Sequence, residues 1–322
     1  MKTDSSRRLG LSGAAIVSVA MLTVVASAQF GRLGGAADKL KKKTPGLSAI
    51  LEGKPPITTS LSDAKFAVDS VDGSLPAEAS PMTSLERTTV GGFVLKAGYY
   101  AIQDQSYCLK AGTHGPGGGD GYLYAPTKGP AEEAVMTIVR NSVAQSDIPQ
   151  QDIQVLLWAI IARAKFEDLN TNLKATASRL LTPQQLAMLN RNGLAIVPQP
   201  VLQEALQSSP APVRAVMQAE ADLRRMMTTP GTSFAEMERV AVLTGAAPLG
   251  EGSRGVPSGR WSLHPDGYYV RYVPSGYSST RVEIWVPAGS KAVGKEYDPA
   301  THIAIPGNTA RQRLIQSGRD HQ

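Results

Sequence analysis

Two periodicities divide this chain and constrain its fold more than any single residue does. Between Pro130 and Gly245 apolar residues recur at helical spacing, while on either side they alternate. Val135, Ile138, Val139 and Ser142 share one helix face, and Pro130 with Glu132 and Glu133 marks its start. A second helix opens near Asp147–Pro149 and carries a wide apolar stripe of Ile153, Leu156, Leu157, Ile160 and Ile161. Thr182–Pro183 opens another, stopped by Asn192–Gly193. Pro212 begins a longer one, to about Met227. Ser233 and Glu236 form a capping box for a last helix ending at Gly245. Before this block, Phe93, Leu95, Tyr100 and Ile102 predict two short strands ending at or near Cys108. After it, "RWSLHPDGYYVRYVPSGYSSTRVEIWVP" (260–287) alternates around turns at Pro265-Asp266-Gly267 and Ser275-Gly276, an antiparallel meander. The tail "IPGNTARQRLIQSG" reads as a final strand and a short basic helix. The class is α+β: short β-strands, then a helical region, then an antiparallel β meander.

The chain opens with Lys2, Arg7 and Arg8, an apolar run from Ala14 to Val25, and Ala26-Ser27-Ala28. That is the form of a secretory signal peptide over 1–28, and its core is short for a membrane span. Residues 29–85, with Pro55-Pro56 and few large apolar residues, read as a tether. The division expected from these features places an ordered domain with its helical region at 86–246 and a β domain at 256–322. The mature protein is expected to be exported (periplasmic, cell-surface or secreted), with no integral membrane segment after cleavage. The net charge is +6, but the leader holds three of the basic residues and one acid, so the body is weakly basic. That charge is scattered, which argues against nucleic acid as a partner.

Familiar chemistries find no pattern here. His114, His264, His302 and His321 are far apart and lack metal-ligand spacing with carboxylates, so no metal or cofactor is expected. The segment "GPGGGDG" (115–121) lacks the Lys-Ser/Thr of a phosphate cradle. Gly115, Gly117, Gly118, Gly119 and Gly121 read instead as the flexible rim, or lid, of a site. Cys108 is the only cysteine, so in an oxidising compartment it has no disulfide partner within the chain. Four readings compete: an inert buried residue, a disulfide to a second chain, a thiolate activated by a histidine, or a sulfur held in another covalent bond. For the last, Gln154 is a partner. It lies beside the apolar stripe of the second helix, one turn before Trp158. A cysteine held against a glutamine carboxamide can expel ammonia and leave a thioester, given near-attack geometry and a dry pocket. Gln150 and Gln151 are alternatives in the first helical turn.

Tyr107-Cys108-Leu109 at a strand end, followed by "IQVLLW" (153–158), resembles the thioester domains of bacterial surface adhesins. In that family an aromatic-Cys-apolar motif precedes an apolar-Gln-x-x-apolar-Trp motif. The resemblance covers roughly 90–165 and implies a Cys108–Gln154 thioester, flanked by Tyr107, Ile153, Leu157 and Trp158, with the Tyr107 and Trp158 rings shielding it. It implies covalent capture of an amine-bearing surface protein or polyamine, once per molecule and so not enzymatic turnover. The competing expectations are a non-covalent structural protein of the envelope and, behind it, a cysteine hydrolase.

Overall fold

The computed structural model describes residues 54–66, 71–207, 209 and 211–320. The expected leader, residues 29–53 of the expected tether and His321 lie outside the described residues.

Six strands form the frame: β1 (Gly98–Cys108), β2 (Tyr122–Pro126), β3 (Tyr269–Pro274), β4 (Ser279–Val286), β5 (His302–Pro306) and β6 (Leu314–Asp320). β1 pairs with β4 and β6, β6 with β5, β5 with β2, β2 with β3, and β3 with β4, every pair antiparallel. The sheet therefore closes into a barrel, which removes its open edges. Directly paired residues share a face. Tyr100 faces Ile284, Ile102 faces Val282, Val282 faces Tyr272 and Tyr272 faces Tyr122. All of these are buried, so the interior also receives Asp104, Ser106 and Cys108, the even-numbered positions of β1 beyond Ile102. Asp104 accepts the Gly318 N–H at 3.0 Å, where the β1–β6 register shifts. Gly318 has φ 73°, which favours glycine, and the bulge needs that acceptor because it is buried.

Seven helices enter between β2 and β3: α1 (Glu132–Ala144), α2 (Gln150–Ile161), α3 (Thr171–Leu180), α4 (Pro183–Asn192), α5 (Gln199–Gln207), α6 (Ala211–Thr228) and α7 (Phe234–Ala241). Every residue of α2 from Ile153 to Ile161 is buried. A helix apolar on most of its circumference needs partners on most sides. α2 has them in α1, α3, α6, α7 and the end of β1.

The mixed α+β class stands, and several finer expectations change. Of the two strands expected before Cys108, the first is the short Phe93–Val94, paired with Glu296–Tyr297, and the second, β1, is long at 11 residues because both of its edges find partners. The expected basic helix of the tail is β6: Leu314 and Ile315 are both buried, and Leu314 pairs with Cys108. The strands of 256–320 close the same barrel as those of 98–126, so the division into 86–246 and 256–322 is not a division of the sheet. The described part of the expected tether is packed: Ile57, Leu61, Met82 and Leu85 join the main core, and Val71 lies under Trp261 in a satellite cluster. α3 and α5 arise where no helix was expected. α7 stops at Ala241, where residues 242–243 leave to pair with 113–114.

His302 is buried under Tyr124, Tyr268, Tyr297 and His264. Its Nδ1 lies 2.8 Å from the Asp298 carbonyl and so carries the proton, leaving Nε2 to accept from the Tyr268 hydroxyl at 2.6 Å. Burial pushes His302 down to about 3 and His264 down to about 4. The unfolded chain takes up these protons near 6.5, while the folded protein does so only near 3 and 4. Stability from both rings is therefore complete above about pH 6.5 and is lost as pH falls toward 4 and 3. In denaturant titrations a His302→Gln variant should be less stable at pH 7 but should lose less stability between pH 6.5 and 4. Equal losses in variant and wild type would contradict the buried neutral ring.

Candidate functional site

The site begins where β1 outruns its neighbour. β4 pairs with β1 only as far as Gln105–Ser279, and one further bond joins Ser106 N–H to the Ser278 carbonyl. Beyond it the Cys108 N–H and carbonyl point the same way with no strand to meet them. α2 supplies the substitute. Gln154 Oε1 accepts the Cys108 N–H at 2.7 Å, and Gln154 Nε2 donates to the Cys108 carbonyl at 3.2 Å. One turn earlier Gln150 Nε2 donates to the carbonyls of Ser278 (2.6 Å) and Ser106 (3.2 Å). Two glutamines four residues apart on one helix face thus continue the ladder that β4 abandons. Cys108 is 0% exposed and Gln154 2%.

The far wall comes from α7 and the β3–β4 turn. The rings of Trp158 and Phe234 stack at 5.6 Å and 19°, joining α2 to α7. Glu238 lies one turn beyond Phe234, and its carboxylate accepts a hydrogen bond from the Tyr277 hydroxyl. Tyr277 is fixed in turn, because its carbonyl accepts from Ser106 Oγ at 2.9 Å. Burial pushes the Cys108 thiol well above its ordinary range, and the charge of Glu238 pushes it the same way. Cys108 is thus a neutral thiol until a neighbour takes its proton.

Three of the other residues expected at the site are buried on α2, and two expectations change. Ile153 and Leu157 are fully buried on either side of Gln154, and Trp158 is fully buried with no hydrogen-bond partner for Nε1. Tyr107 does not shield Cys108. Strand alternation puts it on the opposite face, where its hydroxyl donates to Gln105 Oε1 at 3.1 Å. The glycine segment is not a free lid. Arg311 donates to the Gly115 carbonyl at 2.6 Å and pairs with Asp120, which accepts the Gly117 N–H at 2.7 Å. A Cβ at Gly117 would stand 2.4 Å from Arg311, and one at Gly121 2.3 Å from the Val256 and Pro257 carbonyls. These two glycines permit close approach, and open space remains only at Gly118 and Gly119.

His264 and His302 belong to the aromatic cluster, and His114 lies in the short strand paired with residues 242–243. The charge that acts on Cys108 is that of Glu238, and it disfavours the thiolate a cysteine hydrolase would need. Among the described residues no group of His, Cys, Asp and Glu can hold a metal ion, and no helix is long and apolar enough to cross a membrane.

Phe234, Glu238 and Tyr277 were not singled out for this site by sequence, and Gln150 only as an alternative partner for the thiol. The Phe234–Glu238 spacing mirrors Trp158–Gln154, but that repeat has meaning only once α7 lies against α2. No family model, curated protein or solved structure matches this chain.

The ladder predicts an asymmetry between the two glutamines. Gln154→Ala leaves the N–H and carbonyl of Cys108 buried and unpaired, at a cost of about 1–3 kcal/mol. Gln150 is half-buried, so water can replace it and Gln150→Ala should cost less than about 1 kcal/mol. Chemical unfolding of both variants measures the difference, and equal costs would contradict it.

Proposed function

We propose that this is an exported protein that captures amines covalently through a thioester between Cys108 and Gln154. One observation carries the reading. The Gln154 carbonyl oxygen accepts the N–H of the residue that bears the thiol, at 2.7 Å, in a pocket closed to water. Covalent geometry holds a cysteine sulfur within about 4 Å of its own nitrogen, so thiol and carboxamide share that pocket. The N–H polarises the Gln154 carbonyl and offers a donor to the oxyanion formed on attack.

The chemistry balances without a cofactor. Cys108 Sγ bonds to Gln154 Cδ, the Cδ–Nε2 bond breaks, and ammonia leaves with the thiol proton. A target amine later attacks Cδ, the C–S bond breaks, and an amide and a free thiol remain. The partner is an amine-bearing surface protein or a polyamine, bound once per molecule in the manner of an adhesin. A second reading has its own support. The two hydrogen bonds from Gln154 to the Cys108 main chain also satisfy that backbone in a non-covalent structural protein with an inert cysteine.

Mass and thiol reactivity separate the two. Protein purified without amines should be one ammonia lighter than its sequence and resist thiol reagents. Methylamine should then free the thiol and methylate Gln154. Gln29, the N-terminal residue after leader removal, also loses ammonia on cyclising, so the deficit must map to a peptide linking Cys108 to Gln154. A titratable Cys108 beside an unmodified Gln154 in folded protein would leave the structural reading standing.

A further inference from the structure

The thioester reading leaves one proton without a destination. An amine reaches the site as an ammonium ion and must lose a proton before its nitrogen can attack. The thiol that leaves is held neutral by burial, so it takes up one proton but not two. One carboxylate acts on Cys108, that of Glu238, and it is built into the site. The Trp158–Phe234 stack fixes α7 against α2 one turn away. The Tyr277 hydroxyl fixes the carboxylate, and Ser106, two residues from Cys108 on the same face of β1, fixes Tyr277. Glu238 and Tyr277 are both half-buried, while Cys108 and Gln154 are closed off. Solvent therefore reaches the pair but not the thiol and carboxamide.

We propose that Glu238, positioned by Tyr277, accepts the proton of the amine that opens the Cys108–Gln154 bond, and that its charge selects cationic primary amines such as a lysine side chain over neutral nucleophiles. This rests on the thioester reading. An ammonium group pairs with Glu238 and gives it one proton. The freed nitrogen attacks Gln154 Cδ, the C–S pair of electrons returns to sulfur, and the second nitrogen proton ends on Cys108. Amide, thiol and a proton released from Glu238 account for every atom. Closing the bond uses the same group in the reverse sense, carrying the thiol proton to the departing ammonia.

The test uses the mature chain as wild type, Glu238→Gln, Glu238→Asp and Tyr277→Phe, with folding checked by circular dichroism. Intact mass is read before any amine is added, and adduct formation is then followed at pH 7 with methylamine, a cation, and hydroxylamine, largely uncharged. Glu238→Gln should slow methylamine addition about 100-fold. It should slow hydroxylamine less than tenfold, and Glu238→Asp should recover most of the methylamine rate. Tyr277→Phe should keep the bond and react more slowly with methylamine than wild type. If folded Glu238→Gln lacks the bond and Glu238→Asp restores it, the proton-carrier role is supported through bond closure; no restoration counts against it. Equal methylamine rates in wild type and Glu238→Gln would overturn the proposal while leaving the thioester intact. A wild-type protein without the bond fails at the first measurement and removes the functional reading itself.

Discussion

The Cys108 main chain faces a gap in the sheet, and the carboxamide of Gln154 fills it. Most of what is distinctive in the molecule serves that contact. β1 must outrun β4 to expose the backbone of its last residue, and α2 must enter the core deeply enough for a glutamine to reach it. A buried glutamine is costly unless its carboxamide is paired, and here both ends are. The barrel holds the strand, the helical insertion holds the glutamine, and neither half contains the site alone.

Closing a thioester at this contact has a structural consequence. Gln154 would lose Nε2 and with it the bond to the Cys108 carbonyl, while the bond from the Cys108 N–H to Oε1 would be kept. A net hydrogen bond of about 1 kcal/mol is exchanged for a covalent crosslink between the barrel and the central helix. The crosslink would also protect the thiol from oxidation. Water exclusion and a fixed donor are what such a bond needs to form and to survive.

Periodicity was enough to read α2, its buried stripe and the side of it that carries Gln154, because a 3.6-residue repeat reports one element's own faces. It was also enough to read 260–287 as an antiparallel meander. It did not show that the flanking β segments pair with each other, since alternation reports which face is buried and says nothing of the partner strand. That is why 256–322 read as a separate domain. Arg311 and Arg313 gave the tail the look of a basic helix, yet both reach backbone carbonyls across the fold, of Gly115 and of Thr59. The glycines of 115–121 read as flexibility, whereas Gly117 and Gly121 are needed for the close approach of Arg311 and of the 256–257 backbone. Glu238 and Tyr277 lie over 80 residues from Gln154 in the chain, and nothing in their local sequence marks them as neighbours of Cys108.

The central claim is a bond between two named atoms, and a crystallographic map of protein never exposed to amines tests it most directly. The account predicts continuous density from Cys108 Sγ to Gln154 Cδ, with Nε2 gone and the Cys108 N–H still donating to Oε1. A separate thiol beside an intact carboxamide, with Nε2 still donating to the Cys108 carbonyl, would contradict it.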